Sequence, residues 1–210
     1  MTSRDIRVVY LLIQAWEQLN LTDHFFGDGN LSGWCVNSGR IGLDVLDKLN
    51  VAANVAVWDV IVGNDAGEQY LTNEIPVAEW PDHAWTVGVH QSQAATPGHI
   101  SGHVVIEVAG GVLDLSAPQF TRPKYGMNCP GPLFLDSSFR IEGEADSGFY
   151  VKAEGGTFYV LRNRAKRLPP ELDAAPGFAI GRHTNLVNQL VTCIREQARK
   201  SPRSQFTEAP

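Results

Sequence analysis

The chain of 210 residues predicts an α+β domain. Helical periodicity marks residues 4–20 and 36–49 near one end and Thr184 to Ala198 near the other. Between them lie short β-forming runs from residue 51 to residue 161, and Ala109-Gly110-Gly111 separates two of these as a hairpin would. Runs of strands set apart from helices define α+β rather than α/β. At this length one domain buries a substantial core without disulfides or metal. Residues 1–200 are expected to form that domain, with a core over about 30–165 and the terminal helices packed on it. Residues 201–210 read as a disordered tail.

In residues 4–20, Ile6, Val9, Leu12, Ile13, Trp16 and Leu19 recur at three- and four-residue intervals, one buried helix face. A turn-rich loop from Asn20 to Gly33 delivers the chain to Cys35. Ile41, Val45, Leu46 and Leu49 then return at helical spacing, with Asn50 as the stop. Val51 to Val62 is a strand, residues 63–82 a loop with short extended pieces, and Ala84 to Val89 a strand before a further loop at Gln91 to Gly98. His103 to Val108 and Val112 to Leu115 are the hairpin strands. Beyond a proline-rich stretch come strands at Ser138 to Glu142, Phe149 to Ala153 and Thr157 to Leu161. In the last helix Leu186, Leu190, Val191 and Ile194 face inward.

A net charge of -6 argues against a nucleic-acid surface, because phosphate binding needs clustered Lys and Arg. The one basic patch, Arg162 to Arg167, reads as a solvated loop. No span approaches the roughly 18 apolar residues of a membrane helix, and the start of the chain lacks a signal peptide's apolar core. Cys35, Cys129 and Cys193 are widely spaced and odd in number, so they suggest neither a disulfide framework nor a zinc knuckle. A reducing, cytoplasmic setting is expected, with no cofactor and no membrane partner.

Cys35 is the residue with chemistry in its surroundings. A helix N-terminus favours thiolate through its unpaired N–H groups and aligned dipole, and the Cys35 N–H is placed to bind a developing oxyanion. Polar Asn37, Ser38 and Arg40 make a poor core setting for a merely buried thiol. Cys129 and Cys193 look structural. His103, opening an apolar strand, can reach a helix terminus in the next layer and serve as base.

Asp114 is the preferred partner for His103. A two-residue turn at Ala109 and Gly110 opposes His103 to Ser116 and Asp114 to Val105, leaving His103 and Asp114 one diagonal step apart on one face, roughly 7–8 Å between backbones. A turn at Gly110 and Gly111 keeps the face but moves Asp114 a step away. A three-residue turn sends Asp114 to the other face, and Gln119 is then the alternative orienter. Asn30 and Trp34 are, with Gln119, further candidates for orienting the imidazole or binding an oxyanion.

Gly33-Trp34-Cys35, with Gly102-His103-Val104-Val105-Ile106-Glu107-Val108 and Val112-Leu113-Asp114-Leu115, resembles the transglutaminase-like branch of the papain-like superfamily of cysteine proteases and acyltransferases. The resemblance covers about residues 30–120. It implies a nucleophile-bearing helix packed on an antiparallel sheet, with Cys35, His103 and Asp114 as nucleophile, base and orienter. It also implies thioester chemistry on a peptide, amide or acyl substrate, as in a thiol peptidase, amidase or acyltransferase. Val104 and Val105 stand where an aromatic often follows the histidine in that family.

Two other readings compete. His83, His90, His99 and His103 lie near one another in sequence, which suggests a metal-dependent hydrolase, although they fall mostly in loops without ligand spacing. A non-catalytic binding module on the same fold is the second, with loops 63–82 and 121–137 as the contact surface.

Overall fold

A computed structural model describes residues 2–22, 34–89, 102–129, 131–141, 148–153, 155–162, 172 and 175–200. Helix α1 spans Ser3–Gln18 and starts where the Thr2 hydroxyl accepts from Asp5 N. Helix α2, Trp34–Lys48, begins ahead of the expected boundary, so Cys35 is its second described residue. Asn50, at φ 54°, follows it in the left-handed region and supplies the stop.

Strand β1, Ala53–Gly63, is the longest and organises the sheet. The segment after it is not the expected loop, since Asp65–Thr72 forms a helix, α3. Its cap is Asn64, whose Oδ1 accepts from Gly67 N at 2.8 Å, with acidic Asp65 and Glu68 in the first turn. Strand β2 is Thr86–Val89, β3 is His103–Val108 and β4 is Gly111–Asp114. A short strand β5, Leu133–Leu135, lies where a proline-rich loop was expected. Of the strand expected at Ser138 to Glu142, the described residues 138–141 form none. Ser137–Phe139 is a 3-10 turn capped by Asp136, and pairing there is a single bridge from Arg140 to Phe149. Strands β6, Gly148–Lys152, and β7, Phe158–Arg162, precede the last helix, α4, Thr184–Lys200.

Among the described residues all strand pairings are antiparallel, in the order β5-β4-β3-β1-β7-β6, with β2 also paired to β1. Alternation along the strands separates two cores. One face, carrying Val55, Val57, Val104, Ile106, Leu113 and Leu115, packs with α1, α2 and α4. The other carries Trp58, Val60, Val105, Val112, Tyr159 and Leu161 into a second apolar cluster with Phe120 and Met127.

Helix α2 lies unusually close to β3. A Cβ on Gly39 would come within 2.7 Å of Val104 Cγ1, and one on Gly42 within 2.4 Å of Ile106 Cδ1. Gly39 stands four residues after Cys35 and therefore on the same helix face. Val104 immediately follows His103. The close contact thus sits one helical turn from the thiol and one residue from the imidazole. Among the described residues no helix is long and apolar enough to cross a membrane.

Candidate functional site

The β3–β4 register pairs Ile106 with Leu113, Glu107 with Val112 and Val108 with Gly111. That leaves a two-residue turn, Ala109 at φ 52° and Gly110 at φ 76°. Two left-handed residues are the signature of a type I′ hairpin, the turn whose twist matches the strands. Of the three registers open from sequence, this one places His103 and Asp114 diagonally on one face.

The side chains close that gap. His103 Nε2 and Asp114 Oδ2 are 2.7 Å apart, with each side chain 1% exposed. The other carboxylate oxygen, Oδ1, accepts from Ser116 N and from Ser116 Oγ, both at 2.8 Å. The Tyr159 hydroxyl, reaching in from β7, donates to Asp114 Oδ2. Four donors therefore meet one carboxylate in a water-poor setting, the arrangement that keeps a buried acid ionised.

On the far side of the ring, Gln119 Nε2 lies 3.1 Å from His103 Nδ1. Gln119 belongs to the 3-10 turn Ala117–Phe120 that continues from β4. It thus meets the ring nitrogen opposite the one that Asp114 holds. Cys35, half-buried at the start of α2, is near enough to His103 to act on the imidazole. Phe120 packs edge-on against the imidazole, centroids 5.1 Å apart.

Electrostatics follow from these contacts. Burial works against a charged imidazole, but the Asp114 charge and hydrogen bond, aided by Cys35, outweigh it and raise His103 to about 10. Burial would also raise Asp114. The His103 charge and hydrogen bond, with those from Tyr159 and Ser116, prevail and hold the carboxyl below its ordinary value. Tyr159 is pushed far up by burial first and by Asp114 next, so its phenol remains a donor.

The two remaining thiols lack such a setting. Cys129 is 5% exposed, and burial with the Asp114 charge lifts its thiol to about 12. Cys193, on the inner side of α4, donates to Gln18 Oε1 at 3.2 Å and is raised mainly by burial.

Other residues singled out in the sequence are placed as follows. Trp34 opens α2 and packs partly buried against the helix-side core. Ser38 is 2% exposed, its hydroxyl donating to Trp34 O at 2.8 Å, so it belongs to the packed side of the helix and not to a polar surface. Asn30, His90, His99, most of the basic run after Arg162 and the 201–210 tail lie outside the described residues. No group of three His, Cys, Asp or Glu side chains able to hold a metal exists among the described residues.

Ser116 and Tyr159 are site residues that sequence reasoning missed. The Asp114-Leu115-Ser116 spacing was a readable signal, since an aspartate commonly accepts from the backbone two residues on. Tyr159 is 45 residues from Asp114, and no local pattern joins them. A cleft of about 660 Å³ lies elsewhere, over the outer sides of β1, β6 and β7, with Glu68, Leu71, Phe139 and Arg140 at its walls; none of the residues around Cys35 lines it.

No protein-family model, curated protein or solved structure matches the chain.

Proposed function

We propose that the protein is a cysteine-dependent hydrolase or acyltransferase built on the transglutaminase-like form of the papain-like core, acting on a peptide, amide or acyl substrate. The observation that carries the reading is the His103–Asp114 pair, joined at 2.7 Å, with Cys35 at the start of a helix near enough to act on the same imidazole. A half-buried thiol, a buried imidazole and a fully hydrogen-bonded carboxylate in that order are what nucleophilic catalysis by sulfur requires.

Asp114 occupies Nε2, so the proton exchanged with the thiol would sit at Nδ1, the nitrogen that Gln119 Nε2 also approaches at 3.1 Å. With the thiol proton held on His103, the sulfur attacks the substrate carbonyl carbon. The Cys35 N–H, in the first turn of the helix, would bind the oxygen anion that forms. Collapse breaks the carbonyl–nitrogen bond, and the amine leaves with the proton held by His103. Water or an amine, deprotonated by the same imidazole, then releases the acyl group from sulfur. A reducing, cytoplasmic compartment would keep the three cysteines as thiols.

Brief labelling with iodoacetamide below neutral pH, followed by peptide mapping, tests this. Cys35 is expected to alkylate at least tenfold faster than Cys129 or Cys193, and His103→Ala to abolish the difference. Equal labelling of all three, or indifference to His103, would leave a binding module as the surviving reading.

A further inference from the structure

Asp114 has more partners than an orienting carboxylate needs. Ser116 alone, through its backbone N–H and its hydroxyl, already fixes Oδ1. Oδ2 is shared between His103 Nε2 and the Tyr159 hydroxyl, which also lies only 3.5 Å from that same nitrogen. These three polar atoms form a closed triangle, and Tyr159 is 2% exposed. Phe120 holds the group from the side, edge-on to the imidazole at 5.1 Å and to the Tyr159 ring at 6.0 Å.

We propose that Tyr159 is a positioning residue that acts on His103 through Asp114, by drawing carboxylate charge away from the Nε2 proton. A phenol that stays protonated is a neutral donor, so it competes with the imidazole for Oδ2 without contributing charge. The competition matters because His103 must surrender its proton to the leaving group. An imidazolium held by an unshared buried carboxylate would keep that proton too tightly. Ser116 fixes where the carboxylate sits, and Tyr159 sets how strongly it holds. This inference rests on the thiol-enzyme reading, and it deepens that reading by adding a residue from β7 to the β3–β4 pair.

Among the described residues, the titratable groups that bear on the pair are Cys35 from α2, Tyr159 from β7 and Cys129 from the 121–129 segment, with Arg122 acting in turn on Cys129. Tyr159→Phe leaves all of the others in place and keeps the ring against Phe120.

The test is a titration of His103 followed by its imidazole NMR signals in the full chain. In Tyr159→Phe the midpoint is expected to rise by roughly 0.5–1 pH unit, the size of one hydrogen bond redistributed onto the imidazole. An unchanged or lowered midpoint overturns the proposal. Replacing the tyrosines with 3-fluorotyrosine, a stronger donor of the same shape, is expected to lower the midpoint, and it gives the answer even if Tyr159→Phe does not fold. Alkylation of Cys35 in His103→Ala runs alongside. If His103 has no effect on Cys35, the thiol-enzyme reading fails whatever Tyr159 does. If His103 accelerates Cys35 and the titration does not move, only the role of Tyr159 fails.

Discussion

Gly39 of α2 lies flush on Val104 of β3, with space for no carbon between them. Cys35 is one turn before the first of these residues and His103 one position before the second. The approach of thiol to imidazole therefore depends on a side chain that is missing.

Gly39→Ala should consequently cost more than its helix propensity suggests. Alanine gains about 1 kcal/mol over glycine within a helix, while overpacking costs typically 1–3 kcal/mol. Val104 is β-branched and cannot turn its methyl aside cheaply, so a net loss of about 1 kcal/mol is expected in urea unfolding. Cys35 alkylation should slow with it. At Gly42 the nearest atoms are the ends of Ile106 and Leu115, which can rotate away, so Gly42→Ala should be closer to neutral and spare the thiol.

The His103–Asp114 pair gives stability a defined pH dependence. The folded value of His103 lies above its ordinary 6.5, at about 10, so its contribution is complete below about 6.5 and lost as pH rises towards 10. Asp114 is lowered from 3.8, so its contribution is present above about 4 and lost as pH falls through the folded value. Unfolding free energy relative to a His103→Gln, Asp114→Asn double variant should be greatest between about pH 4 and 6.5 and decline on both sides. A flat difference from pH 5 to 10 would contradict the ion pair.

Ala109 holds φ 52° in a turn position that favours glycine or asparagine. Left-handed backbone costs an alanine roughly 1–2 kcal/mol, part of which glycine gives back as entropy in the unfolded chain. Ala109→Gly should therefore stabilise the protein by about 0.5–1 kcal/mol in thermal unfolding, with Cys35 reactivity unchanged.

Asn64 joins three segments with one amide. Its Oδ1 accepts from Gly67 N and Trp85 N, and its Nδ2 donates to His83 O at 2.8 Å and Tyr125 O at 2.7 Å. Asn64→Ala should destabilise by about 2–3 kcal/mol, combining a lost cap with carbonyls left unpaired. Asn64→Asp preserves the cap but sets a carboxylate against two carbonyl oxygens. Its loss of stability should shrink below about pH 4, where the acid regains a proton to donate.

The parts of this fold that were legible in the sequence are those written in short-range patterns. The helix periodicities, the β1 run and the placement of Cys35 at a helix start each come from a few neighbouring residues. Which of three turns joins β3 to β4 was open, because Ala109 is not a residue that advertises a left-handed position. Helix α3 was hidden by Asn64, Asp65 and Gly67, which look like a turn but act as a cap and a first helical turn. Strand β5 has three residues, too few for alternation to register. Tyr159 reaches Asp114 only because β7 and β3 flank the same long strand, information that exists in the pairing order and nowhere along the chain.

The contact of α2 with the chain before α4 bears on the order in which the molecule can be completed. His183 Nε2 donates to Asn37 Oδ1 across 146 residues, and the Arg40 guanidinium lies over the Phe178 ring. During synthesis the first turn of α2 emerges long before the segment that grips it, while α1 must wait for α4 in the same way, as the Arg7 guanidinium donates to Ala198 O. Contacts at such separation form late and slowly. A nascent chain would carry the first turns of α2 without these contacts until nearly all of the described residues have been made.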